Sequence, residues 1–143
     1  YNHLIYTGPI DSYFKYNYGR LPYRGIRFVF KTFHQQTVLP APVVNYPNDF
    51  NYTRATEFKQ MTGQNHVKTS ICYEIPGDSM PGDEELAPAY PVINTEAEKR
   101  LALYQKEASG LDKVTFLGRL GTFQYLNMDA CVKAVMDHLQ TDF

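Results

Sequence analysis

The stretch Arg24-Gly25-Ile26-Arg27-Phe28-Val29-Phe30-Lys31-Thr32-Phe33-His34 decides the reading of the fold. One parity carries Ile26, Phe28, Phe30 and Thr32, and the other carries Arg27, Val29, Lys31 and Phe33. A period of two with one mostly apolar face predicts a half-buried strand, because successive side chains of a strand point to opposite faces. Two later runs share the period. Residues 50–59 put Phe50, Tyr52, Arg54, Thr56 and Phe58 on one face and Asn51, Thr53, Ala55, Glu57 and Lys59 on the other. Residues 67–75 align Val67, Thr69, Ile71, Tyr73 and Ile75. Between the runs lie Pro40, Pro42, Pro47, Gly63 and Asn65, which favour turns. Strands in succession without helices between them favour an antiparallel sheet.

Downstream the composition changes twice. Residues 77–88 turn to Pro, Gly and acid (Asp78, Asp83, Glu84, Glu85), which reads as an exposed linker. No His lies nearby to complete a ligand set, so no metal site is expected there. Thr95 followed by Glu98 then predicts a capping box, with Ala97, Leu101, Tyr104 and Ala108 on one helical face and Ser109-Gly110 as the stop. Val114 to Leu117 reads as a short buried strand leading into the glycine turn Gly118-Arg119-Leu120-Gly121. Met128, Val132, Val135 and Leu139 mark a final amphipathic helix. The expected fold class is therefore α+β, an antiparallel sheet followed by a helix–strand–helix portion of α/β organisation.

Bulk properties narrow the function. The 143 residues are 43% apolar and 20% charged with a net charge of −1, which argues against wholesale disorder, coiled coil and a general nucleic-acid binder. No apolar run approaches the roughly 20 residues that span a bilayer, and no signal-peptide pattern opens the chain. Cys72 and Cys131 form no CxxC pair and read as reduced thiols of a cytoplasmic protein. The chain starts at Tyr1 rather than Met, as a fragment or a processed product would. Twelve Tyr and nine Phe with no Trp are unusual, and the Tyr rings offer hydroxyl donors as well as packing area.

Arg54 is the most informative single residue. On an aromatic strand face its guanidinium must meet an anion, either a bound phosphate or carboxylate or a structural Asp or Glu at the sheet edge. The Gly118–Gly121 turn before a helix could let backbone approach a ligand, although many strand-to-helix turns use two glycines for geometry alone. A complete GxGxxG fingerprint is absent. Tyr90 and Tyr125 could add hydroxyls to an anion site or simply pack. The four His are scattered without metal spacing, and no nucleophile elbow occurs, so a freestanding metalloenzyme or hydrolase is poorly supported.

Five stretches together carry a family resemblance. They are residues 6–11 (Tyr-Thr-Gly-Pro-Ile-Asp), 19–24 (Gly-Arg-Leu-Pro-Tyr-Arg), 52–57 (Tyr-Thr-Arg-Ala-Thr-Glu), 89–92 (Ala-Tyr-Pro-Val) and 118–128 (Gly-Arg-Leu-Gly-Thr-Phe-Gln-Tyr-Leu-Asn-Met). In this order they resemble the C-terminal part of UDP-galactopyranose mutases; the family's flavin fingerprint would precede Tyr1. The resemblance implies an FAD-dependent isomerase that interconverts UDP-galactopyranose and UDP-galactofuranose through a reduced-flavin N5–sugar adduct, without net redox change. The chemistry then belongs to the cofactor, and no side chain here takes a catalytic role. Arg54, Tyr90 and Tyr125 correspond to residues that hold the UDP diphosphate, and Asn45 to a substrate-contacting asparagine. Gly118, Arg119 and the stretch Leu126, Asn127, Met128 and Asp129 would face the flavin. On this reading residues 1–88 are the substrate-binding part with its acidic loop, and residues 89–143 are the C-terminal portion of the FAD-binding domain.

The chain departs from the family twice: Asn127 stands where the family often has Asp, and Ala89 stands where it commonly has a first Tyr before Tyr90. The resemblance further implies a cytoplasmic enzyme supplying galactofuranose to cell-surface polysaccharide, inactive as this fragment alone, with surface left free for homodimerisation. Two rivals stay open. One is an amine-oxidase-like flavin oxidoreductase, which leaves the phosphate motifs around Arg54 and Tyr90 unexplained; the other is a non-catalytic nucleotide-sugar binding module.

Overall fold

The computed structural model describes residues 2–78 and 86–142. In chain order the elements are β1 (Leu4–Tyr6), α1 (Ile10–Tyr13), β2 (Tyr23–Phe33), β3 (Val43–Asn45), β4 (Arg54–Glu57), α2 (Phe58–Thr62), β5 (Thr69–Asp78), β6 (Ala87–Pro91), α3 (Thr95–Ala108), β7 (Val114–Phe116), α4 (Gly118–Gly121) and α5 (Met128–Asp142). Five strands form an antiparallel sheet in the order β3-β4-β5-β2-β6, and β1 pairs in parallel with β7 in a separate two-stranded sheet. The chain divides into two compact units: residues 1–24 with 88–143, and residues 25–87.

In the unit of residues 25–87, the strand predicted around Phe28 is present as β2, but its faces are exchanged. Phe28 and Phe30, on the more apolar parity, are 50% and 63% exposed. Phe33, on the mixed parity, packs against the buried cluster of Leu39, Ala55 and Ile71. Alternation distinguishes two faces of a strand, and the register of its neighbours decides which one meets the core. That register runs Val44↔Ala55↔Tyr73 on the core side and Asn45↔Arg54↔Glu74 on the other. The strand predicted at residues 67–75 is found as β5, with Thr69 and Ile71 buried on the expected face, while Val67 lies outside it and is exposed. Full burial of Ile71 alone contributes about 1.5–3 kcal/mol.

The strand predicted at residues 50–59 is only four residues long. After Glu57 the chain turns into α2, which Gly63 ends in the left-handed conformation at φ 66°. Glu57 explains the break. Its fully buried carboxylate accepts the backbone N–H groups of Leu39 at 2.8 Å and Val38 at 3.2 Å, and the Gln60 amide at 2.6 Å. Gln60 reaches that carboxylate from one turn into α2, so a helical backbone after Glu57 serves the buried charge better than an extended one. Burial opposes ionisation, but these donors outweigh it and hold the Glu57 carboxyl below its ordinary value. The Thr69 hydroxyl steadies the charge from nearby without meeting hydrogen-bond geometry.

In the other unit the core is Ile10, Leu21, Tyr23, Ala97, Tyr104 and Phe123, with Leu101 and Ala108 packed against it, so the predicted face of α3 is the buried one. The cap is one residue earlier than the capping box implied. Asn94 is the N-cap, and its Oδ1 accepts the Ala97 N–H at 2.9 Å. Asn and Thr are both good N-caps, and the extended backbone at Asn94 starts the helix there. The predicted stop at Ser109 is observed. The strand before the glycine turn is β7, and the turn itself winds into the single-turn α4. Gly121 is required there: a Cβ would lie 2.9 Å from the Tyr6 carbonyl oxygen of β1. Of the linker predicted at residues 77–88, residues 79–85, including Asp83, Glu84 and Glu85, lie outside the described residues; Gly77 and Asp78 complete β5.

Candidate functional site

The residues singled out by sequence fall into two groups, one in each unit. In the unit of residues 25–87, Arg54 opens β4 on the side of the sheet away from the aromatic cluster. The aromatic surroundings expected for it are therefore on the opposite face. The rings of Phe50 and Tyr52 stack at 4.9 Å in the loop before β4, and Tyr52 meets Tyr73, the cross-strand partner of Ala55, at 4.7 Å. Polar partners hold Arg54 instead. Its Nε donates to Asn45 Oδ1 at 3.1 Å, and its Nη1 lies 3.4 Å from Glu74 Oε2 and 3.5 Å from Oε1. Asn45 and Glu74 are its direct partners on the two flanking strands, so antiparallel pairing alone brings the three together. Among the described residues Nη2 has no hydrogen-bond partner.

Glu74 was not singled out by the sequence. The sequence carries only a partial signal: Glu74 alternates with Tyr73 and Ile75 on its strand, but its own parity also carries the buried Cys72.

In the unit containing residues 88–143, the structure brings Tyr90, Arg119 and Tyr125 together. Tyr90 and Tyr125 stack with ring centroids 5.5 Å apart and planes 22° apart, and the Arg119 guanidinium lies 4.5 Å from the Tyr90 centroid and 5.4 Å from that of Tyr125. The cation is attracted by the negative faces of both rings. Arg119 also donates through Nε and Nη2 to the Leu126 carbonyl at 3.0 and 2.6 Å, and through Nη1 to the Ala89 carbonyl at 3.4 Å. The side chain thus ties the segment before α5 and the middle of β6 to α4. Among the described residues, the hydroxyls of Tyr90 and Tyr125 show no hydrogen bond.

Gly118 adopts φ +77°, a left-handed conformation that favours glycine, and a Cβ there would meet nothing within 4 Å. The turn is therefore open on that side, and Asn127, Met128 and Asp129 at the start of α5 are exposed, Met128 at 84%. An open glycine turn beside an exposed helix start fits a group that needs close backbone approach, as expected for a flavin. The Leu126 carbonyl, in contrast, is already engaged by Arg119. Among the described residues no cluster of His, Cys, Asp or Glu could hold a metal ion, Cys72 and Cys131 are free thiols, and no helix is long and apolar enough to cross a membrane.

An antiparallel five-stranded sheet, a parallel strand pair and a helix-flanked glycine turn define a mixed α/β protein. The same architecture occurs in a crystal structure of reduced UDP-galactopyranose mutase, matched with a TM-score of 0.65 at 17% identity over 98% of this chain and 41% of that one. The family model for UDP-galactopyranose mutase matches residues 1–125, and the chain belongs to that family. A UDP-galactopyranose mutase of Mycoplasma genitalium is 38% identical over 132 residues, which are 90% of this chain and 33% of that protein. A probable UDP-galactopyranose mutase of Klebsiella pneumoniae is 35% identical over 92% of this chain and 34% of its own length. A dTDP-fucopyranose mutase of Escherichia coli is 33% identical over 98% of this chain and 37% of its own length. The chain therefore spans about a third of the length of the curated relatives it matches.

Proposed function

We propose that the chain is the C-terminal part of an FAD-dependent isomerase that interconverts UDP-galactopyranose and UDP-galactofuranose, and that it is inactive without the remainder of that enzyme. The observation that carries this reading is Arg54. In a chain of this family, it is held from both sides by Asn45 and Glu74, and its Nη2 has no hydrogen-bond partner among the described residues. A planar guanidinium with a free edge suits a diphosphate oxygen.

On this reading residues 1–88 are the substrate-binding part, and residues 89–143 are the C-terminal portion of the FAD-binding domain, which also carries the substrate-contacting Tyr90 and Tyr125. By the resemblance Tyr90 and Tyr125 are further diphosphate-contacting residues, and Asn45, a substrate-contacting one, orients Arg54 through its amide oxygen. A bound, reduced flavin would supply nucleophilic chemistry that no side chain of this stretch provides. The chain's own residues hold the departing diphosphate by charge and hydrogen bonds, which keeps it in place for return to the same sugar. Gly118, Arg119 and the Leu126–Asp129 segment would hold the flavin, with Arg119 fixing that segment through the Leu126 carbonyl. The parent enzyme works in the cytoplasm, feeding galactofuranose into cell-surface polysaccharide, and its homodimerisation remains part of this reading.

The test uses the full-length protein: incubate it with UDP-galactofuranose, with and without dithionite, and follow UDP-galactopyranose by chromatography. Conversion that depends on reduction is expected. Flavin-loaded protein that converts nothing overturns the reading. dTDP-fucopyranose offered in parallel separates the two substrates named among the relatives; preference for it would replace the sugar in the proposal and keep the reaction class.

A further inference from the structure

Glu74 has no assigned part, yet its geometry relates it to one residue. It sits directly across from Arg54 in the β4–β5 ladder, and both its oxygens lie 3.4–3.5 Å from Nη1. The Glu74 side chain is 18% exposed against 47% for Arg54, so the carboxylate is the fixed member of the pair. Ion pairs this exposed contribute little to stability, because water screens them and ordering two long side chains opposes them. Their effect on orientation is a separate matter. With Nε on Asn45 and Nη1 beside Glu74, the guanidinium plane is set from two sides, and its Nη2 edge is the one left for an anion. An arginine held in its binding geometry loses less freedom when the ligand arrives.

We propose that Glu74 is a positioning residue: with Asn45 it sets the plane of the Arg54 guanidinium so that Nη2 faces the anionic group of a nucleotide-sugar substrate. This rests on the reading of Arg54 as the diphosphate clamp. A purely structural Glu74 would act on stability, and a purely competing carboxylate would weaken the grip of Arg54 on an anion. The positioning role differs from both in sign and in what it depends on.

The experiment is steady-state kinetics of the reduced full-length enzyme with UDP-galactofuranose. It compares wild type, Glu74→Ala, Glu74→Gln, Arg54→Ala and the double variant Glu74→Ala/Arg54→Ala, with thermal melts of each. Glu74→Ala is expected to raise KM about five- to tenfold, with kcat changed less than about twofold and the melting temperature unaltered. Glu74→Gln, which keeps an acceptor beside Nη1, is expected to recover most of that loss. In the Arg54→Ala background the same change should have no further effect, since two residues acting through one contact are not additive.

A Glu74→Ala enzyme with unchanged or lowered KM overturns the proposal, as does a full additional loss in the double variant. If Arg54→Ala itself leaves KM and kcat unchanged, the clamp reading fails. If Arg54→Ala is impaired and Glu74→Ala is not, only the positioning role fails.

Discussion

Each unit of the molecule holds one of the arginines Arg119 and Arg54 and, among the described residues, one buried carboxylate, and the two units use these groups differently. Arg119 is tied into its fold, with donors on the carbonyls of Leu126 and Ala89 and its face on Tyr90. Among the described residues the Arg54 guanidinium bonds to two side chains, Asn45 and Glu74, and its Nη2 has no partner. The carboxylates differ as well. Glu57 is surrounded by donors that favour its charge, whereas burial raises the Asp11 carboxyl above its ordinary value despite N–H donors from Leu21 at 2.8 Å and Ser12 at 3.0 Å. The partners of an arginine's five N–H groups thus separate one tied to backbone carbonyls from one held by neighbouring side chains.

The largest effects should come from breaking the contrast between the arginines and between the carboxylates. Arg54→Ala in the full enzyme should weaken substrate binding or turnover by about 2–4 kcal/mol while leaving the melting temperature close to wild type. Unchanged kinetics would remove Arg54 from the site. Glu57→Ala should destabilise its unit by about 2–4 kcal/mol, because the N–H groups of Val38 and Leu39 would be left buried without an acceptor. Urea denaturation measures this, and a loss below about 1 kcal/mol would show that the loop finds other partners.

Arg119→Ala should lower stability by about 1–2 kcal/mol together with activity, since the segment before α5 would lose its tie to α4. Loss of activity at full stability would make Arg119 a binding residue of the same kind as Arg54. The smallest effect is in pH dependence, and it should have opposite signs in the two units. The folded-state pKa of Glu57 is lowered, so its contribution is present above the ordinary value of 4.5 and is lost as pH falls through the folded value. The pKa of Asp11 is raised, so its contribution is complete below 3.8 and is lost as pH rises through the folded value. Accordingly, the stability gap between wild type and Glu57→Gln should shrink on acidification, and the gap for Asp11→Asn should widen. Parallel trends would contradict the assignment.

Much of the architecture was legible before any coordinates. The α3 face of Ala97, Leu101, Tyr104 and Ala108, its stop at Ser109 and the β5 face of Thr69 and Ile71 follow from periodicity and local chemistry. These readings depend only on residues within one element, where the period of the backbone maps directly onto side-chain direction. Residues 50–59 misled for the complementary reason. Their alternation is real, but Glu57 satisfies backbone donors near position 38, and no local pattern reports a partner 18 residues away. The three-residue strands β1 and β3 are too short to show a period, whereas the equally short β7 was legible because its apolar run leads into the glycine turn Gly118–Gly121.

The candidate site divides along the same line. Arg54, Tyr90, Arg119 and Tyr125 could be named from the chain because cations, hydroxyls and glycine turns are visible as residue types in recognisable stretches. Which of them share a neighbourhood, that Asn45 and Glu74 flank Arg54, and that Phe28 and Phe30 lie on the open face of β2, required the pairing register and the tertiary contacts. The sequence by itself determined the periods, the caps' chemistry and the inventory of groups able to bind an anion, since these are properties of neighbours along the chain. The tertiary structure decided which face is core, which arginine is tied to backbone carbonyls and which to side chains of flanking strands, because those depend on hydrogen bonds between residues apart in sequence.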